Sequence, residues 1–178
     1  MKKLSVFLAV LLSCVLTGFA AEEKKDMPKT EKVTEAKEVK GIKVSASSFE
    51  QKAHGGWGDM PPERSLDGDL KTAWMAEGDG EWIQYDFGKN KTFKAVKLAF
   101  ARGNERVYTF DILASETGED KSWTTVLKTG KNTGKSANLE TFEFKKISAR
   151  FIRVVGHGNT SEKFAKWCNI SEADFIIE

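Results

Sequence analysis

Disulfide chemistry is the first thing this sequence lacks. It has two cysteines, and one of them, Cys14, sits in an apolar leader. Cys168 is left without a partner. A chain of this length buries enough apolar surface to fold without cross-links, and a lone cysteine is expected packed rather than reactive. Histidine is equally scarce, with only His54 and His157. Neither stands in an H-E-x-x-H spacing, and there is no G-x-S-x-G turn and no glycine-rich phosphate loop. These absences argue against an enzyme. A dominant charge is missing too. Lys2 and Lys3 leave with the leader, which brings the 28 basic residues level with the 26 acidic ones. Nucleic-acid binders carry a basic face, and polybasic membrane binders carry a cationic run; neither pattern is here. The one long apolar run, Leu4 to Leu16, is too short for a membrane span, and no later stretch approaches that length.

That run has the anatomy of an export signal. Lys2 and Lys3 precede it and Gly18-Phe19-Ala20 offers a small-x-small cleavage site, so cleavage is expected after Ala20, with export to the periplasm or beyond. Leu11-Leu12-Ser13-Cys14 also fits a lipidation box. Lipidation at Cys14 would leave Val15 to Ala20 as an apolar start to the mature chain, which disfavours the lipoprotein form. Residues 21–41 hold six lysines and six acids and no aromatic residue. They cannot form a core and are expected to be a flexible, charged tether. Residues 42–178 then make one domain.

Within that domain the apolar residues alternate. Ile83, Tyr85 and Phe87 flank Gln84 and Asp86. Val96, Leu98 and Phe100 do the same, as do Phe110, Ile112 and Ala114, and Phe142 and Phe144. Period-two alternation predicts strands with one buried face. Gly88-Lys89-Asn90, Thr117-Gly118-Glu119-Asp120 and Thr129-Gly130-Lys131-Asn132 read as the turns between them. Pro61-Pro62 opens a short helical turn. About eight strands and no long helical pattern predict an all-β jelly-roll sandwich.

The stretch Arg64-Ser65-Leu66-Asp67-Gly68-Asp69-Leu70-Lys71-Thr72-Ala73-Trp74 stands apart. Asp-Gly favours a tight turn, and a tight turn gathers carboxylates and carbonyls into an oxygen cage suited to a hard cation. A solvated surface turn is the plain alternative. The spacing Ser-Leu-Asp-Gly-Asp-x-x-Thr-x-Trp resembles the motif of discoidin-type domains. These are also known as coagulation factor type C domains, and their bacterial form is the family-32 carbohydrate-binding module. Other pieces follow in order: Ala46-Ser47-Ser48, Trp82 to Gly88, Ala149-Arg150-Phe151-Ile152-Arg153-Val154, Trp167, and Ile170-Ser171-Glu172-Ala173-Asp174. The resemblance implies a discoidin-like, galactose-binding-domain-like jelly roll with ligand loops at one end. It also implies a structural Ca²⁺ site. Asp67 and Thr72 would give side-chain oxygens, Ser65 and Asp69 mainly carbonyls, and Glu172 would close the site from the last strand. Animal members often tie their ends with a disulfide, and its absence favours the bacterial branch.

Three loops are candidates for the ligand. Trp57, beside His54 and among glycines, offers a face for a sugar ring; its alternative role is a lid on the sandwich. Arg102, Asn104 and Arg106 offer planar two-pronged donors, or plain solvated charges. Gly156-His157-Gly158-Asn159 follows a strand, and its glycines suit close approach to a ligand. The set resembles that of modules attached to alginate-type lyases. It implies a non-catalytic module for an extracellular, acidic polysaccharide, acting alone or beside a separately encoded degrading enzyme. The competing reading is an adhesion or assembly protein whose end loops bind another protein or a membrane surface. Trp74, Trp82 and Trp123 read as core or cage cover, and Trp167 as either core or ligand contact.

Overall fold

The computed structural model describes residues 34–52 and 58–178. Nine strands occur among them: β1 (Lys37–Val39), β2 (Ile42–Ala46), β3 (Trp74–Glu77), β4 (Trp82–Ala99), β5 (Tyr108–Ser115), β6 (Thr124–Lys131), β7 (Glu140–Asn159), β8 (Trp167–Ile170) and β9 (Glu172–Ile177). Eight of them start at or beyond Ile42, as the alternation predicts. The predicted helical turn is a 3-10 turn at Pro62–Leu66.

Two long strands build the sandwich. The first part of β4, through Asp86, pairs with β2 and with the last part of β7. From Lys91 on it pairs with the first part of β7, and from Phe93 with β9. The register breaks between Asp86 and Lys91, where Gly88 takes φ 74°. Gly88-Lys89-Asn90 is therefore a corner inside one strand, not a turn between two. The chain bends there without reversing, so each half of β4 serves a different layer. β5 and β6 extend the first layer beyond β7. Aromatic rings join the layers: Tyr85 meets Phe175 edge-on at 4.9 Å, and Phe110 meets Phe142 at 4.9 Å. Such edge contacts add to the area the rings bury.

The outer face of the first layer carries its own cover. The Arg153 guanidinium lies 4.0 Å from the Trp82 ring centroid and 4.2 Å from that of Trp123, and Arg153 donates to Gln84 Oε1 at 2.9 Å. Trp82 is thus buried beneath an arginine instead of inside the sandwich, whereas Trp74 is a core residue whose indole donates to the Ser48 carbonyl. Beside this stack Arg150 makes a two-pronged bond to Asp86, 2.7 Å at each prong.

Strand pairing extends upstream of Ile42. Thr34 N–H donates to the Ala46 carbonyl and its hydroxyl accepts from Ala46 N–H; β1 pairs with β2. The last residues of the expected tether are therefore an edge strand. An edge strand needs backbone donors and acceptors, not apolar side chains, so the charged run Lys37-Glu38 concealed it.

Candidate functional site

β3 and β8 form a two-stranded antiparallel ribbon, with Met75 opposite Asn169. Alternation sorts its side chains. Trp74, Ala76, Cys168 and Ile170 enter the core. Ala73, Met75, Trp167, Asn169 and Ser171 line a groove of about 490 Å³. This apolar floor is walled by three segments. Leu70 and Lys71 come from the acidic turn, Arg102 and Arg106 from the β4–β5 loop, and Phe164 from the β7–β8 loop. Glu50 and Met60 border it as well, stitched to β3 by Glu50 N–H to the Met75 carbonyl (2.8 Å) and Met75 N–H to the Met60 carbonyl (3.3 Å). His54 and Trp57 fall between these two in the chain and lie outside the described residues.

The β4–β5 loop is fixed from below. Asn132 is 3% exposed. Its amide nitrogen donates to the carbonyls of Gly103 and Arg106, each at 3.0 Å, and its oxygen accepts Tyr108 N–H at 2.6 Å. Gly103 is pressed so closely that an added Cβ would lie 2.6 Å from the Ser136 carbonyl oxygen. Arg102 itself takes φ 57°, a left-handed conformation unusual for a side chain of its size. Its guanidinium pairs with Glu105 at 3.0 Å, and that of Arg106 lies 5.3 Å from the Phe164 ring. Asn104 is exposed on the same loop but does not line the groove.

The third predicted loop is not a loop. Gly156 to Asn159 continue β7. His157 stands between two carboxylates, with Nδ1 2.7 Å from Asp79 Oδ1 and Nε2 3.4 Å from Asp111 Oδ2. Burial alone would lower its pKa; the hydrogen bonds to Asp79 and Asp111 outweigh that and raise it. Asn159 donates to the carbonyls of Phe164 and Trp167 at 2.8 and 2.9 Å. The glycines do answer a need for close approach, but to the chain itself. A Cβ on Gly156 would sit 2.3 Å from Cys168 Sγ, and one on Gly158 would sit 2.1 Å from the Ala165 carbonyl oxygen. Asn159 thus positions the groove's β7–β8 wall instead of lining it, and His157, bridging Asp79 and Asp111, does not line the groove either.

The acidic turn is a hydrogen-bonded unit. Asp67 Oδ1 accepts Asp69 N–H (2.8 Å) and Oδ2 accepts the Thr72 hydroxyl (2.6 Å); Asp69 Oδ1 accepts Lys71 N–H (2.9 Å). From β9, Glu172 Oε2 accepts Gly68 N–H at 2.9 Å. Burial raises the Glu172 pKa and Asp67 adds to the rise, against the Gly68 hydrogen bond and Lys40, whose ammonium is 3.8 Å from Oε1. Ser65 is fully buried, and its hydroxyl donates to the Pro62 carbonyl and accepts from Tyr85. No cluster of three His, Cys, Asp or Glu side chains suited to a metal occurs among the described residues. The oxygens that do converge here are mixed, with the Asp69 carbonyl 3.0 Å from the Thr72 hydroxyl. A mixed, oxygen-only set fits a hard cation and no soft one.

Sequence reasoning named the arginines of the groove but missed Lys71, Phe164 and Asn169. The available signal was the alternation Trp167, Asn169, Ser171 against Cys168, Ile170. No helix among the described residues is long and apolar enough to cross a membrane.

The profile of the F5/8 type C domain matches residues 43–172. Among solved structures, the chain is similar to the CBM32 of AlyQ in complex with 4,5-unsaturated mannuronic acid. That likeness has 31% identity over 80% of this chain and 98% of that one, with a TM-score of 0.66. It is also similar to a truncated AlyQ with CBM32 and alginate lyase domains, 35% identical over 75% of this chain and 31% of that one, TM-score 0.62. A pectin-binding carbohydrate-binding module is 25% identical over 74% of this chain and 87% of that one, TM-score 0.63. No curated protein matches the chain.

Proposed function

We propose, for a chain that belongs to the F5/8 type C domain family and is built as a non-catalytic carbohydrate-binding module, that its ligand is an acidic, alginate-like polysaccharide held in the groove over the β3–β8 ribbon. One observation carries the reading: an apolar floor containing Trp167 and flanked by Phe164 has three cationic side chains, Lys71, Arg102 and Arg106, on its walls. Aromatic and thioether surface covers the C–H face of a sugar ring, and cations take its carboxylate. The relatives named for mannuronic acid and for pectin support the acidic version.

A shallow single site of this kind gives dissociation constants on the order of 0.1–1 mM, about −4 to −5.5 kcal/mol. Titration with acidic and neutral oligosaccharides tests it. Preference for uronates is expected, with binding of every glycan weakened by Trp167→Ala. Equal binding of neutral sugars would remove the acidic ligand. No binding of any glycan, with specific capture of a protein through the same loops, would favour the adhesion reading.

We further propose that Ca²⁺ occupies the acidic turn. Asp67, Thr72 and Glu172 would supply side-chain oxygens and Asp69 its carbonyl; the ion would clamp the turn to β9. Ca²⁺ should raise the melting temperature and Asp67→Ala should remove the rise. An unchanged melting curve with chelator would refute the site. Export through the leader and action beside a polysaccharide-degrading enzyme complete the proposal. Mass spectrometry of the mature N-terminus, expected to start at Ala21, checks the first.

A further inference from the structure

We infer that Lys71 is the residue that selects an acidic ligand, and that the acidic turn positions it for this. The inference rests on the acidic-polysaccharide reading above. Of the three groove cations, two are already engaged: Arg102 with Glu105, and Arg106 over Phe164. Among the described residues, Lys71 makes no ion pair and no ring contact, and its side chain is exposed. An ammonium is a compact charge with three donors and suits a single carboxylate oxygen.

Its backbone, by contrast, is held at several points. Lys71 N–H is bound by Asp69, Asp69 N–H by Asp67, and Thr72 N–H by the Asp69 carbonyl at 3.0 Å. Gly68, at φ 86°, donates to Glu172 on β9. The wall carrying Lys71 is thus preorganised, and little ordering remains to offset on binding.

The surrounding charge makes the residue decisive. Asp67, Asp69 and Glu172 are near neighbours in this turn and would repel a uronate brought to the same wall. Lys71 is the turn's one cation that lines the groove; Lys40, 3.8 Å from Glu172 Oε1, does not line it. Neutralising it removes an attraction and leaves a repulsion, so the effect falls on acidic ligands and spares neutral ones.

The test is calorimetric titration of the full chain with a mannuronate oligomer and with the same oligomer after reduction of its carboxylates, using wild type, Lys71→Met and Lys71→Arg. Met keeps the aliphatic stem, and melting curves check that each variant is folded. Lys71→Met is expected to weaken the acidic oligomer about tenfold, with the neutral one within about twofold and Lys71→Arg within about threefold of wild type. The salt dependence of acidic binding should flatten in Lys71→Met. Wild-type binding of the acidic oligomer with Lys71→Met unchanged would overturn this assignment and leave the functional reading standing. Equal losses for acidic and neutral oligomers would make Lys71 a shape contact and also overturn it. Failure of wild type to bind either oligomer would remove both.

Discussion

Asn132→Ala should be among the most damaging polar substitutions in this protein. The side chain is 3% exposed and makes three hydrogen bonds to backbone groups of the β4–β5 connection. Each typical bond contributes about 1 kcal/mol net, and a buried group left unpaired costs about 1–3 kcal/mol. Of the orphaned groups, the Arg106 carbonyl is part-buried and regains water; the Gly103 carbonyl and Tyr108 N–H are buried and do not. The expected loss is therefore about 2–4 kcal/mol, which for a domain of this size lowers the melting temperature by about 5–15 °C. Binding should weaken in parallel, because the loop that Asn132 ties down carries Arg102 and Arg106. Asn132→Asp should do no better: it keeps the acceptor for Tyr108 but turns a carboxylate toward two carbonyls. Thermal melting beside oligosaccharide titration checks both variants. A loss below about 1 kcal/mol with affinity intact would refute the role given to Asn132.

Other consequences are as open to measurement. Gly158→Ala should cost about 2–4 kcal/mol, from a Cβ set against the Ala165 carbonyl and a backbone at φ 85°; a melting temperature near wild type would mean that the β7–β8 loop yields freely. Arg153→Ala should cost about 1–2 kcal/mol and uncover Trp82, seen as a red shift in tryptophan emission; an unchanged spectrum would show that the indole is buried by something else. His157 binds its proton more tightly folded than unfolded, so the Asp79–His157–Asp111 bridge contributes fully below about pH 6.5 and fades as pH rises through the raised folded value. Wild type should lose more stability than His157→Gln between about pH 6 and pH 8, and parallel curves for the two would contradict the bridge.

The strands were legible because burial on one face writes itself into every second residue. Ile83, Tyr85 and Phe87 are all in the core, and so are Phe110, Ile112 and Ala114. What period-two patterning does not carry is the identity of the partner strand. Gly88-Lys89-Asn90 has the composition of a reversal, and only the switch from β2 to β9 as neighbour makes it a corner. Gly156 and Gly158 have the composition of a loop. Their glycines are needed because the chain doubles back just after them and Cys168 and Ala165 press on them, a contact that composition does not show. Asn132, in a stretch that reads as a turn, gives no local sign that its amide reaches Gly103 and Arg106. The groove was half legible for the same reason. Its arginines sit in a loop whose composition announces it, whereas its floor is the far side of a ribbon whose two strands are about ninety residues apart in the chain.

That floor and the acidic turn share a wall, which couples cation and ligand. A turn holding Asp67, Asp69 and Glu172 is a poor neighbour for a uronate unless its charge is offset. Lys71 offsets one unit and Lys40, 3.8 Å from Glu172 Oε1, a second; the proposed Ca²⁺ would add two positive charges more. A divalent charge roughly one Debye length from a bound carboxylate, about 8 Å at physiological salt, is worth on the order of 0.4–1 kcal/mol. Saturating Ca²⁺ should therefore tighten a mannuronate oligomer about two- to fivefold over chelator-treated protein, and leave its carboxylate-reduced counterpart unchanged. Raising the salt should shrink the difference, because the two charges are separated by solvent. Titrations at two ionic strengths, each with Ca²⁺ and with chelator, separate this from a purely mechanical effect. An ion that only stiffens the turn would tighten both oligomers alike and be indifferent to salt, and that result would break the electrostatic link between turn and groove.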